Sequence, residues 1–195
     1  VRIWKFFLTL FITLVSLPLI WNNIQTYQQK RILSFLNPES DPLGQGYQLI
    51  QSKIALGSGG LSGKGFLNGT QSYLEYVPEK QTDFIFTLIG EEFGFLGTIF
   101  IIILFLFVIT ICFYISIKSS HIFGRIIALG FGSNLFIYVI MNISMVSGLM
   151  PVVGIPLPLI SFGGTVMLTI MISIGMLLNV DLNHNLKNLS DHAQS

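Results

Sequence analysis

Of 195 residues, 52% are hydrophobic and 10% charged, against roughly 25% charged in an ordinary soluble domain. That balance excludes a soluble globular domain and predicts an integral membrane protein. The net charge of +1 excludes a nucleic-acid footprint, and the one cysteine, Cys112, excludes an internal disulfide.

The first apolar run predicts a span over about 4–20, introduced by Arg2 and Lys5 and closed by Trp21 as an interface anchor. It lacks a small-residue cleavage site and reads as a span, not a signal peptide. The chain opens on Val and not Met, which suggests a fragment or an unusual start. A polar loop over about 22–83 follows, too long to be structureless. Further spans are predicted over about 95–117, 126–148 and 159–180, with a Pro/Gly-rich break over 150–158 before the last. Arg2, Lys5, Lys118, Arg125 and Lys187 all fall on one side, while the turn at 149–157 carries no charge. The positive-inside rule puts both termini in the cytoplasm and the long loop outside. The expected fold is an all-α polytopic membrane protein with about four transmembrane helices. One long extracytoplasmic loop carries short amphipathic helices, and the 195 residues form a single membrane domain.

Within the loop, Asn37-Pro38-Glu39-Ser40-Asp41-Pro42-Leu43-Gly44 is dense in turn formers. Tyr47, Ile50 and Ile54 recur at helical spacing and predict a short amphipathic helix on the membrane surface. A helix packed on its own loop fits the same pattern. Gly57-Ser58-Gly59-Gly60-Leu61-Ser62-Gly63-Lys64-Gly65 fails as a nucleotide-binding loop, since Ser58 and Gly65 occupy positions that need Gly and Ser/Thr. A site on the outer face could not draw on cytoplasmic nucleotides in any case. Glycine amides with Lys53 and Lys64 could instead cradle a phosphate group; a flexible turn with solvated lysines is the alternative.

Beyond it, Glu75, Glu79, Lys80 and Asp83 stand among aromatics suited to a membrane–water interface. Thr82 is placed to cap the next helix, with Asp83 in its first turn, where a carboxylate complements the macrodipole. Asp83 also abuts Phe84-Ile85-Phe86, and an ionisable group at the membrane border is a candidate for function, as a weak base or a cation ligand. Glu75 and Glu79 could share a helical face, but Pro78 interrupts it. Glu91 and Glu92 head the second span and read as interfacial charges or as a match to the helix dipole at its N-terminus. Asn134 and Asn142, two turns apart, are expected to hydrogen-bond between helices. The irregular segment from Pro151 to Gly164 is expected to shape a pocket or re-entrant turn, with a plain hairpin turn as the alternative. His121, His184 and His192 show no metal-ligand spacing and fall on the cytoplasmic side.

Several stretches resemble the SEDS family (shape, elongation, division and sporulation) of polytopic peptidoglycan polymerases, the RodA/FtsW type. They are Asp41-Pro42-Leu43-Gly44-Gln45-Gly46-Tyr47-Gln48, Ala55-Leu56-Gly57-Ser58-Gly59-Gly60, Leu74-Glu75-Tyr76-Val77-Pro78-Glu79, Thr82-Asp83-Phe84-Ile85-Phe86, Gly90-Glu91-Glu92-Phe93-Gly94 and Pro156-Leu157-Pro158-Leu159-Ile160-Ser161-Phe162-Gly163-Gly164. Asp41-Pro42-Leu43-Gly44 and Gly69-Thr70-Gln71-Ser72 are similar to the elongation branch. The resemblance implies polymerisation of lipid II into glycan strands at the outer face of the bacterial cytoplasmic membrane, during elongation and cell-shape maintenance. Asp83 falls on the family's essential loop aspartate and Glu75 on its accompanying glutamate. Asp83 would then deprotonate the acceptor hydroxyl or hold a divalent cation (magnesium or manganese) against the pyrophosphate. Lys53, Lys64, Glu79, Lys80, Ser161, Gly163 and Gly164 form the expected substrate-binding set, with no nucleotide involved. A class B penicillin-binding transpeptidase is the implied partner. Gln81 stands where relatives often carry His, and Thr165 where they usually carry Ser. Family members have about ten spans and this chain matches the last four, which implies a separate N-terminal half. A non-catalytic scaffold, a lipid II flippase and an inactive truncated product are the competing readings; against the flippase, the span centres hold Asn and no Lys, Arg, Asp or Glu.

Overall fold

The computed structural model describes Trp4 and residues 23–41, 44–69, 82–119 and 121–193, with side chains as far as Asn183. The span expected over about 4–20 and the side chains of Glu75, Glu79 and Lys80 lie outside the described residues. The described residues are all helical or irregular: α1 (Thr26–Leu36), a 3-10 turn (Pro38–Ser40), α2 (Gln45–Ser58), α3 (Ile85–Lys118), α4 (Ile122–Val146) and α5 (Gly164–Ala193). Three of them are long and apolar enough to cross a membrane: α3, α4 and the Gly164–Asn183 part of α5.

Helix α3 is two helices joined at a break. Gly94 has φ 67° and ψ −162°, a backbone conformation open to glycine alone, and a sharp kink there has an identifiable cause. Residues 95–118 are the apolar span expected from Phe95 onward, while residues 85–93 form a separate segment ahead of the break with Glu91 and Glu92 on it. Lys118 closes the helix where a cation complements the carbonyl end, its ammonium 5.8 Å from the Tyr114 ring centroid.

The short turn after Lys118 makes α3 and α4 antiparallel neighbours. They meet through small residues: Cys112 and Ala128 are fully buried, and a Cβ on Gly132 would lie 2.9 Å from the Cys112 Cβ. Close backbone approach through small side chains is how helices associate where water supplies no driving force. Cys112 therefore faces a helix and not lipid. The Ser116 hydroxyl donates to the Arg125 carbonyl at 3.0 Å, and Arg125 donates to the Ser119 carbonyl at 3.3 Å, tying the turn.

The last helix starts at Gly164, five residues later than the expected 159. Leu159 holds φ 66°, which a β-carbon disfavours. Leu157 and Ser161 close a tight turn around it: the Ser161 amide donates to the Leu157 carbonyl at 2.9 Å, and the Leu157 amide donates to Ser161 Oγ at 2.7 Å.

Helix α2 exists as expected, and the face it packs within the protein is the one opposite the apolar spacing. Gly46, Leu49, Ser52 and Ala55 are its buried residues, whereas Tyr47 and Ile50 are half-buried and Ile54 exposed. The reason is steric. A Cβ on Gly46 would run into the Pro38 carbonyl, so only a small-residue stripe lets α2 settle against the 3-10 turn and the bundle. Ser52 Oγ donates to the Val146 carbonyl at 3.0 Å, satisfying one of the acceptors that the end of α4 leaves open.

Candidate functional site

Asp83 lies in the turn over 82–84 that delivers the chain into α3. The expectation that Thr82 caps the helix is not met. Phe84 holds the N-cap position with no side-chain cap, so Asp83 sits one residue ahead of the N-cap and outside the helix. Two contacts from the far end of the chain hold the turn out of helical register. Ser161 Oγ donates to the Thr82 carbonyl at 2.6 Å, and Asn142 Nδ2 donates to the Asp83 carbonyl at 2.8 Å. Phe84, 1% exposed, anchors the turn from below.

The segment over 147–163 is the opposite wall. Gly148 ends α4 at φ 74° and Gly154 turns the chain back at φ 78°, positions where a β-carbon is costly. Asn142 reaches this wall as well, donating to the Ile155 carbonyl at 2.7 Å. One buried amide thus bridges the Asp83 turn and the Pro-rich loop. A Cβ on Gly154 would lie 3.1 Å from Asp83 Oδ2, so the carboxylate rests directly on that glycine. Arg31, from α1, donates to the Val153 carbonyl at 2.9 Å, one residue away. The irregular segment therefore shapes a re-entrant wall and not a plain hairpin turn. Below it, Leu159 and Ile160 join Ile101, Leu104, Phe105, Phe107 and Val108 around an apolar cleft of about 270 Å³ on the membrane part of α3.

The glycine loop serves the break in α3. The amides of Lys64 and Gly65 donate to the carbonyls of Glu91 and Glu92, each at 3.0 Å. In return, the amides of Phe95 and Leu96 donate to the carbonyls of Gly60 and Leu61, at 2.9 and 3.1 Å. A broken helix leaves carbonyls unsatisfied before the break and N–H groups unsatisfied after it, and the loop supplies both. The loop is thus neither a flexible turn nor, at Lys64 and Gly65, a phosphate cradle, because those amides are already committed. The Lys64 ammonium sits 2.9 Å from Glu91 Oε1. Glu91 and Glu92 are 0% and 5% exposed, so they are buried members of this joint and not interfacial charges.

Of the other residues singled out from sequence, Lys53 is exposed on α2 with its side chain laid over Gly148, beside the same wall. Ser161 is a fastener, its hydroxyl both donating and accepting within the protein. Gly163 and Gly164 have room for a side chain. Asn142 is fully buried, and in place of the expected helix–helix bond it bridges the Asp83 turn and the Pro-rich loop. Asn134 instead lies on the exposed side of α4, lining a cavity of about 180 Å³ with Tyr138, Thr165 and Thr169. Arg31 escaped sequence reasoning. Its signal was weak, one of five Lys/Arg in the loop over 22–83 with no motif around it.

Comparison with known proteins adds an independent line. A family model described as cell cycle protein, covering FtsW, RodA and SpoVE, matches residues 1–186. The peptidoglycan glycosyltransferase MrdB of Escherichia coli (strain K12) is 47% identical over 165 residues, covering 84% of this chain and 45% of that protein. The peptidoglycan glycosyltransferase RodA of Treponema pallidum (strain Nichols) is 40% identical over 158 residues, covering 81% of this chain and 36% of that protein. Stage V sporulation protein E of Bacillus subtilis (strain 168) is 44% identical over 154 residues, covering 79% and 42%. The chain thus spans less than half the length of these relatives. Among solved structures, a chain from work on the structural coordination of polymerization and crosslinking by a peptidoglycan synthase complex matches with a TM-score of 0.68 and 32% identity, covering 93% of this chain and 50% of that one.

Proposed function

Because the chain belongs to the FtsW, RodA and SpoVE family of cell cycle proteins, we propose that it carries the catalytic wall of a peptidoglycan glycosyltransferase that polymerises lipid II during elongation and cell-shape maintenance. The polymerase activity is assigned to this chain together with the remaining length that its relatives carry. The observation that carries the reading is the seating of Asp83: its turn is pinned by Asn142 and Ser161, and its carboxylate rests on Gly154 at the edge of the membrane bundle. A base held by main-chain contacts from three segments is a preorganised base.

In the proposed reaction the acceptor sugar hydroxyl oxygen attacks the anomeric carbon of a donor linked to undecaprenyl pyrophosphate. The new C–O bond forms as the bond to the pyrophosphate oxygen breaks, the bonding pair leaving with undecaprenyl pyrophosphate, and configuration inverts. The hydroxyl proton passes to Asp83. Glu75 is assigned as its accompanying carboxylate, and Lys53, Lys64, Glu79, Lys80, Ser161, Gly163 and Gly164 as substrate-binding positions. For Lys64 and Ser161 this means acting from within the contacts just described. The apolar cleft on α3 offers a wall for the polyprenyl tail. Among the described residues no three His, Cys, Asp or Glu side chains cluster. The alternative to the base role is a cation-ligand role, in which magnesium or manganese would be held by Asp83 with the substrate's own phosphate oxygens, an arrangement such ions favour, and would neutralise the leaving pyrophosphate.

The proposed setting is the bacterial cytoplasmic membrane, with both termini inside, the loop over 22–83 outside, and a class B penicillin-binding transpeptidase as partner. The test is Asp83→Asn and Asp83→Ala, assayed for glycan polymerisation and for partner binding. Loss of polymerisation with partner binding kept supports catalysis, while full polymerisation in Asp83→Asn removes the assignment.

A further inference from the structure

The Val153–Gly154 step is approached from two sides by groups of opposite charge. On one side the Asp83 carboxylate rests on Gly154; on the other the Arg31 guanidinium donates to the Val153 carbonyl at 2.9 Å. These residues are far apart in sequence and come from α1 and the entry to α3, so the loop is where the fold brings them together. Arg31 is not placed there by chance rotation of an exposed side chain. Ser34, one turn along the same face of α1, is buried and donates to Asp41 Oδ2 at 3.1 Å, fixing α1 against the start of α2. The Tyr27 ring, one turn the other way, lies 5.9 Å from the guanidinium carbon. Arg31 is thus anchored through one N–H group and flanked by an aromatic ring, and it makes no ion pair among the described residues. A guanidinium has five N–H donors in a planar fork. The anchored bond uses one, and the fork geometry suits two oxygens of a phosphate.

We propose that Arg31 is a diphosphate-binding residue of this site, holding the pyrophosphate of a lipid-linked sugar donor while Asp83 faces the acceptor hydroxyl one residue further along the loop. This rests on the polymerase reading above and adds to it the group that takes the leaving anion. The Pro-rich loop gives the two charges a fixed spacing: Val153 holds the cation and Gly154 backs the carboxylate. The Arg31 guanidinium would stabilise the negative charge that builds on the departing diphosphate oxygen, an interaction strongest in the transition state. On the polymerase reading, that diphosphate is the headgroup of a lipid carrier.

The test measures binding to the full chain in lipid nanodiscs for undecaprenyl pyrophosphate, inorganic pyrophosphate and undecaprenol. Arg31→Gln is expected to weaken both diphosphates by about tenfold or more and to leave undecaprenol unchanged, as loss of a charge-assisted contact requires. Arg31→Lys, which keeps the charge but loses the fork, is expected to fall between them. Wild-type protein is expected to bind the lipid-linked diphosphate more tightly than the inorganic one; equal binding would make the site one for free diphosphate and overturn the lipid-carrier assignment. Unchanged diphosphate binding in Arg31→Gln overturns the proposal. So does equal weakening of all three ligands, which would mean that only the loop has been distorted. Asp83→Asn separates this from the parent reading: it should lose polymerisation, while the drop in diphosphate binding caused by Arg31→Gln persists in the Asp83→Asn background. Full polymerisation in Asp83→Asn would sink the parent reading even with Arg31 binding intact.

Discussion

The side-chain amide of Asn142, fully buried in α4, donates to the main-chain carbonyl of Asp83 at 2.8 Å. The same nitrogen donates to the Ile155 carbonyl at 2.7 Å, so both walls of the candidate site hang on one residue. Asn142→Leu removes both bonds and strands two carbonyls. The expected loss is about 1–3 kcal/mol of stability, read as a lower unfolding temperature in detergent. Polymerisation should fall further than the stability loss explains, because the Asp83 turn is released.

The joint in α3 predicts a coupled pair. Lys64→Met leaves the fully buried Glu91 carboxylate without its nearest cation. The cost is expected on the order of 2 kcal/mol, below that of a wholly buried orphan because the lysine is partly solvated. Adding Glu91→Leu should recover part of that loss, and a thermal-unfolding double-mutant cycle checks it.

Gly63 and Gly94 face each other across the same joint. A Cβ on Gly94 would lie 2.7 Å from the Leu61 carbonyl oxygen, at a φ of 67°. Gly94→Ala is expected to cost at least about 2 kcal/mol through steric overlap and left-handed backbone strain. Gly164→Ala, by contrast, meets nothing within 4 Å at the start of α5 and should hold or raise stability by about 0.5–1 kcal/mol. Unfolding curves of the two variants, side by side, provide the check.

Gly154→Ala tests the seat of the carboxylate. The added methyl would stand 3.1 Å from Asp83 Oδ2 at a φ of 78°. The expected result is a stability loss of about 1–2 kcal/mol with turnover reduced and lipid-substrate affinity largely kept, measured as separate kcat and KM in a polymerisation assay.

The three described spans were legible in the sequence because apolar runs of that length have one stable solution in a bilayer. Their interiors were read well and their ends less so. The late start of α5 depended on Leu159 adopting a strained turn fastened by Ser161, a contact that no periodicity encodes. Asp83 was legible as a charge beside aromatics, but its place outside the helix depended on Asn142 and Ser161 arriving from much later in the chain. On α2, Tyr47, Ile50 and Ile54 carry the hydrophobic signal, while the face packed within the protein is that of Gly46, Ser52 and Ala55, a small-residue stripe that hydrophobic periodicity does not single out. Glu91 and Glu92 looked like surface charges because sequence shows charge without showing its partner, and Lys64 lies across a long loop.

Four main-chain hydrogen bonds splice α3 across Gly94. A splice built from amides and carbonyls has no side-chain vocabulary, so no compensating exchange elsewhere can restore it once a β-carbon intrudes. Any tilt of the apolar stretch of α3 is resisted by those bonds, which tie it to the acidic stretch ahead of Gly94. The glycine loop is therefore a splint along the helix that carries the Asp83 turn at its tip.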